Sequence, residues 1–272
     1  MQNNKTNSSS SWKSMFTLVV IVLGLGVSYI IFKFVMGSPS HFMDNDVTKN
    51  PKPGDFLGTI YKGGFLVPVL MTLFLMVITF AIERFLTINA SRGTGNGDNF
   101  LRNIKNLLAE GKVDAAIAEC DVQKGSIGNV VRNGLTKYKQ VANDSSMSKD
   151  EKLASIQKEL EESTSLELPM LEKNLVILST IASIATLMGL LGTVFGMIRS
   201  FAAMATAGAP DSVALSTGIS EALINTAFGI GTSAIAIVLY NTFTTSIDGI
   251  TYRIDEASFS ISQSFASSNQ NK

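Results

Sequence analysis

The sequence predicts an all-α integral membrane protein with four transmembrane helices and a helical cytoplasmic insertion. Three observations carry this. Hydrophobic residues make up 46% of the 272-residue chain and charged residues only 16%, against about a quarter charged in a typical soluble domain, and the mean hydropathy is +0.27. Four runs, at 14–32, 65–82, 174–198 and 212–247, carry almost no charge and approach or exceed the roughly 20 apolar residues that a membrane-crossing helix needs. Between the second and third runs, apolar residues recur at helical spacing.

Residues 1–13 read as a cytoplasmic leader rich in Ser and Asn, with Lys5 and Lys13. The first transmembrane helix is expected over 14–36. A cleaved signal peptide competes with it, but the run is longer than the usual apolar region of about 7–15 residues and no A-x-A site follows Gly37, which favours a retained helix. Residues 37–64, with Pro39, Pro51 and Pro53, form a polar periplasmic connector. The second helix, over 65–90, is as rich in Leu, Val, Ile, Phe and Met as the first. Arg84, Arg92 and Arg102 cluster around its far end and mark the cytoplasmic side.

The cytoplasmic region 91–172 reads as a set of helices. Leu101, Ile104, Leu107 and Leu108 keep one period and stop at Gly111, where a C-terminal cap belongs. Val113 to Glu119 is short and alanine-rich, and Val130, Val131, Leu135 and Tyr138 make a further stripe. Ser148 and Glu151 have capping-box spacing ahead of Leu153, Ile156 and Leu160. Pro169 is expected to break or kink the chain before the third membrane helix. Gly93 to Gly97 lacks the lysine and preceding strand of a phosphate loop and reads as a linker.

The third helix (173–204) and the fourth (212–247), joined by a periplasmic turn at 205–211 and followed by a cytoplasmic C-terminal tail at 248–272, differ in kind from the first two. In the third, Ala182, Ala185, Gly189, Gly192 and Gly196 recur at three and four residues, which lets helix backbones approach closely. Thr186, Thr193 and Ser200 place hydroxyls along nearly one stripe; back-bonding to the helix's own carbonyls is the alternative role, and is favoured for Thr186. In the fourth, Glu221, Asn225 and Gly229 share a stripe, with Thr226, Gly229 and Ser233 on the adjoining one. Glu221 is the only charge within 212–247. It lies about ten residues from Pro210, on the order of 15 Å along a helix, and a charge at such depth costs roughly 2.5–3.5 kcal/mol on insertion scales. It must face protein or water, either as a functional carboxylate or as a structural one bonded between helices. Asn225 is commonly interhelical glue, and Arg199 is expected to reach the interface.

Composition removes whole classes of function. Twenty-two basic residues balance twenty-two acidic ones, so no global field holds nucleic acid. One histidine, His41, and one cysteine, Cys120, exclude a disulfide framework and a zinc site built on them. No catalytic residue, metal site or cofactor is expected, and Cys120 is most simply a core thiol. A membrane enzyme ranks below a channel or a non-conducting scaffold, since no His or Lys base accompanies the hydroxyls of the third and fourth helices.

The strings GLLGTVFGMIRSF and GISEALINTAFGIGTSAIAIVLYN, with IERFL ending the second helix, resemble the proton-channel family that includes MotA, TolQ and ExbB. The pairing of GLLGTV with EAL-x-x-TA-x-G resembles the ExbB and TolQ branch, and ExbB more closely. The resemblance is dense over about 180–241, sparse over 64–180 and absent before 60. It implies a homopentamer in the bacterial inner membrane, its third and fourth helices lining a central pore. Thr193, Glu221 and Thr226 would then lie on the proton pathway, with Gly189, Gly192, Gly196, Asn225 and Gly229 packing or lining the pore helices. It further implies a dimer of a single-span ExbD- or TolR-like partner inside the pore, carrying a titrating aspartate, and an output to a TonB-like protein, or to envelope maintenance if the chain is TolQ-like. Two departures stand out: family members commonly have proline where this chain has Thr186 and Ile235, and the additional first helix is unusual.

Overall fold

The computed structural model describes residues 8–206 and 212–268. The start of the leader, most of the expected turn at 205–211 and the last four residues lie outside the described residues. Nine α-helices are described: α1 (Ser8–Ile30), α2 (Phe56–Tyr61), α3 (Leu66–Ser91), α4 (Gly97–Ala109), α5 (Val113–Gln123), α6 (Gly125–Ala142), α7 (Lys149–Glu172), α8 (Leu175–Thr206) and α9 (Ser212–Ser268). Among the described residues the only β pairing is an isolated bridge between Phe42 and Pro51. Four stretches are long and apolar enough to cross a membrane: Thr17–Met36, Leu66–Ser91 and segments within Lys149–Ala202 and Leu215–Ser267. Helices suit such sequences because they satisfy every backbone polar group internally. This is a multi-pass membrane protein.

The chain divides into two compact units, Met1–Ala81 with Ile177–Leu239, and Ile82–Val176 with Tyr240–Lys272. In the first, α1 exposes nearly all of its apolar surface, only 6% of its spanning window being buried, as a helix facing lipid would. A π-helical turn, Ile31–Met36, ends it. Met36 then joins Ile60, Val67 and Met71 in a core that Phe32, Tyr61, Ile224 and Phe228 flank.

The connector is folded rather than merely polar. Phe42 is fully buried and meets Tyr61 edge to face, while Phe32 stacks on the same ring at 4.6 Å. Asp55 caps α2 by accepting from the Gly58 N–H at 3.0 Å and pairs with His41 Nδ1 at 2.8 Å. Those two contacts, the backbone N–H foremost, hold its carboxyl below the usual range.

In the second unit, α4 to α7 bury the apolar stripes that their sequences display: Phe100, Leu101, Ile104 and Leu108, then Val130, Val131 and Leu135, then Ile156 and Leu160. Gly111 follows α4 with φ +71, the left-handed position that a cap glycine supplies. Ser148 and Glu151 form the full capping box, with the Ser148 N–H donating to Glu151 at 2.7 Å and the Glu151 N–H to Ser148 at 3.3 Å.

Two features depart from the sequence reading. Pro169 lies inside α7, which continues to Glu172; the break comes at Lys173 and Asn174, the latter with φ +64. The stretch read as a tail is helical through Ser268, so that α9 is one helix of 57 residues. Its C-terminal part carries a stripe of Ile247, Ile250, Ile254, Ala257, Ile261 and Phe265, all buried. Tyr138 meets Phe265 edge to face at 4.9 Å, Arg253 pairs with Asp98 at 3.0 Å and Lys105 with Glu256 at 2.7 Å.

Arg84 of the IERFL string is 1% exposed. It pairs with Glu83 and donates from Nη1 to the carbonyl of Leu171 at 3.1 Å, near the C-terminal end of α7. Asn174 completes the cluster through Glu83 at 3.2 Å. A buried arginine thus meets carbonyls that the end of α7 leaves without intrahelical donors.

Candidate functional site

The small residues of α8 and α9 form one antiparallel seam. A Cβ on Gly196 would stand 2.6 Å from the Gly218 carbonyl and 2.8 Å from Ala222 Cβ. On Gly192 it would collide with the Asn225 side chain. On Gly229 it would lie 2.5 Å from the Ala185 carbonyl and 2.8 Å from Gly189 Cα. Each step back along α8 meets a similar step forward along α9, so the glycine spacing of one helix is read by the other. Such separations leave no room for a methyl group, and dispersion between close backbones holds the pair together.

The hydroxyls bond mostly to carbonyls of their own helix, and two of them cross the seam. Thr193 donates to its own helix at the Leu190 carbonyl, 2.6 Å away, and Thr186 to Ala182 at 3.4 Å. Ser200 donates to Gly196 at 3.0 Å and reaches the Leu215 carbonyl at 3.3 Å. Thr226 crosses to the Gly189 carbonyl at 3.2 Å. Their protons are engaged with backbone oxygens, whereas each hydroxyl oxygen keeps acceptor capacity.

Glu221 and Asn225, one turn apart on α9, are 6% and 1% exposed. Asn225 Nδ2 donates to the Gly63 carbonyl at 2.8 Å, and its Oδ1 has no partner among the described residues. Glu221 is paired: Arg199 Nη1 donates to its two oxygens at 2.8 and 3.0 Å. Sequence alone places Arg199 at the interface and gives Glu221 no basic partner. In the structure the guanidinium, half exposed, turns back to the carboxylate and also lies 5.8 Å from the Phe65 ring.

Gly64 lies over the same pair with φ +78, and a Cβ there would collide with Glu221 Oε1. Both the backbone angle and the contact call for glycine. The site therefore brings Glu221, Asn225, Thr226 and the glycines into one buried seam beside the turn from α2 to α3. Thr193, half-buried on α8, bonds only to its own helix among the contacts described. No group of three or more His, Cys, Asp or Glu side chains converges among the described residues.

Fold and site together define a membrane protein organised around a charged helical hairpin. Residues 123–256, just under half of the chain, match the model of the MotA/TolQ/ExbB proton channel family, and the matched segment holds the whole of the α8–α9 seam. The "Biopolymer transport protein ExbB" of Pseudomonas putida is 39% identical over 82 residues, covering 30% of this chain and 25% of that protein. A "Putative biopolymer transport protein ExbB-like 3" of Synechocystis is 36% identical over 86 residues, 31% of this chain and 41% of that one. The "Tol-Pal system protein TolQ" of Pseudomonas aeruginosa is 29% identical over 117 residues, 43% and 51% respectively. The alignments thus span between a quarter and about half the length of these relatives.

Proposed function

We propose that this chain is an ExbB-like subunit of an inner-membrane proton channel that uses the proton-motive force to energise TonB-dependent outer-membrane transport. The observation that carries the reading is Glu221: a buried carboxylate within a glycine seam, in the segment that matches a proton channel family. Intramembrane carboxylates are costly and are retained chiefly on ion pathways. One such group per chain, with hydroxyls alongside, holds water and relays a proton but supplies few titrating sites. That supports a homopentamer whose third and fourth helices enclose a dimer of a single-span ExbD/TolR-like partner bearing the principal aspartate. Thr193, Glu221 and Thr226 lie on the proton pathway in this arrangement, and the 91–172 region and the C-terminal part of α9 face the cytoplasm.

A proton falling through 100 mV releases about 2.3 kcal/mol, so several must pass to move a partner against load. Glu221→Gln keeps shape and polarity but removes the ionisable oxygen. In the assembled complex it is expected to abolish ion-driven uptake with the oligomer intact, as read by transport assays beside native mass spectrometry. Full activity of the Gln variant would remove the titrating role. A Tol-type client is the second reading, favoured by the TolQ match over 117 residues; copurification of the partner decides between them. If no single-span partner copurifies and no ion flux appears, the chain is a scaffold.

A further inference from the structure

The proton-pathway reading leaves one charged group of the seam without a role, and it is the one that touches the pathway's carboxylate. Both oxygens of Glu221 accept from a single nitrogen, Nη1 of Arg199. The turn between α2 and α3 presents Gly64 and Phe65 to this pair, neither of them titratable. Among the described residues Arg199 is the only ion-pair partner that Glu221 has.

We propose that Arg199 is the internal counter-ion of the channel: it occupies Glu221 in the resting subunit, and ion passage requires the carboxylate to exchange Arg199 for the permeating proton. This rests on the proton-channel reading above. While the pair is closed, the carboxylate charge is compensated and both oxygens already accept from Arg199, which weakens the pull on an incoming cation. When a proton binds one oxygen, the charge that held the guanidinium is gone and Arg199 is released. When that proton leaves inward, the carboxylate recaptures Arg199 and the site is reset.

Each position that the exchange needs is present. Arg199 sits half exposed beside the Phe65 ring, a face that receives a guanidinium by cation–π attraction, and Phe195 holds that ring edge to face at 5.7 Å. On the inward side, one turn from Glu221, Asn225 Oδ1 is a buried acceptor without a partner. Gly64 has no side chain to obstruct the carboxylate. Arg199 is a positioning residue in this scheme: it bonds to no permeating ion and sets when Glu221 is available.

The test uses the full chain in proteoliposomes, alone and with its single-span partner, reading proton uptake under a potassium diffusion potential. Without the partner, Arg199→Gln is expected to raise proton leak roughly tenfold, as when a competent state held to a few per cent becomes the main one. Adding Glu221→Gln removes that leak, and Arg199→Lys, which keeps the charge but makes a looser pair, leaks between wild type and Arg199→Gln. A leak that is unchanged in Arg199→Gln, or that survives in the double variant, overturns the proposal. Should Arg199→Gln fail to assemble, the rate at which a hydrophobic carbodiimide modifies Glu221 is compared between wild type and Arg199→Lys. Lysine makes a looser pair, so faster modification is expected, and equal rates overturn the proposal. Wild-type complex that conducts and is silenced by Glu221→Gln keeps the channel reading whatever Arg199 does, whereas a complex that conducts nothing sinks both.

Discussion

At Gly229 and Gly231 the same residue type, two positions apart on α9, meets opposite surroundings. A methyl group at 229 would press on the Ala185 carbonyl and Gly189 Cα, whereas nothing lies within 4 Å of one at 231. Backbone atoms do not yield as a flexible side chain does. Gly229→Ala is therefore expected to cost about 1–3 kcal/mol and to reduce assembled protein. Gly231→Ala, which gains helix propensity worth up to about 1 kcal/mol, should be neutral or stabilising within the subunit. Thermal unfolding in detergent, read by near-ultraviolet circular dichroism, ranks the two. Thr226→Val removes the donation to Gly189 at nearly constant volume; loss of activity with the oligomer intact marks a pathway hydroxyl, and loss of assembly a packing one.

Among the helices, α7 depends most visibly on its first turn. Ser148→Ala removes an N-cap worth about 1 kcal/mol and should speed hydrogen exchange in the amides from Lys149 onward. Accepting the Ser148 N–H holds the Glu151 carboxyl below its usual range. A carboxyl that is more acidic when folded stabilises fully above its unfolded value and loses that contribution as pH falls through the folded one. Fraying of this turn is accordingly expected only below about pH 4.5, and unfolding followed across pH 3–6, with Glu151→Gln as control, checks it. The capping box was legible because its bonds are local in sequence. The seam was legible because glycine spacing is a one-dimensional pattern. The ion pair was overlooked although Arg199 and Glu221 lie equally far on either side of Pro210; reading the two helices as an antiparallel hairpin would have set them at one level. The far half of α9 also had its signal, the Ile247 to Phe265 stripe, obscured by intervening Ser, Thr and Asp. The folded connector had none, since the contacts of Phe42, Tyr61, His41 and Asp55 are long-range and follow no period.

For the molecule as a whole, the test is where the partner binds. A photo-activatable residue at Thr193 or Thr226 is expected to capture the single-span partner, while one at Ile78, on the exposed side of α3, should capture lipid. Capture from Ile78 alone would place the partner outside the subunits and remove the central pore. The extra helix α1 makes few contacts in its own subunit. Its deletion should therefore leave ion flux in place if α8 and α9 hold the pathway, and a truncated chain beginning at Ile31, which keeps Phe32 and Met36 in their core, measures this when assayed with the partner.

The lone thiol has a practical side. Burial, with Asp121 alongside, pushes Cys120 up to about 12, and its Sγ already donates to the Ala116 carbonyl at 3.2 Å. At neutral pH almost none of it is thiolate, the form that alkylating reagents and disulfides require. The unaltered sequence thus behaves as a cysteine-free background: spin labels, fluorophores or maleimides placed at single new cysteines along α8 and α9 should report from those positions alone, with no second substitution to disturb the α5 core.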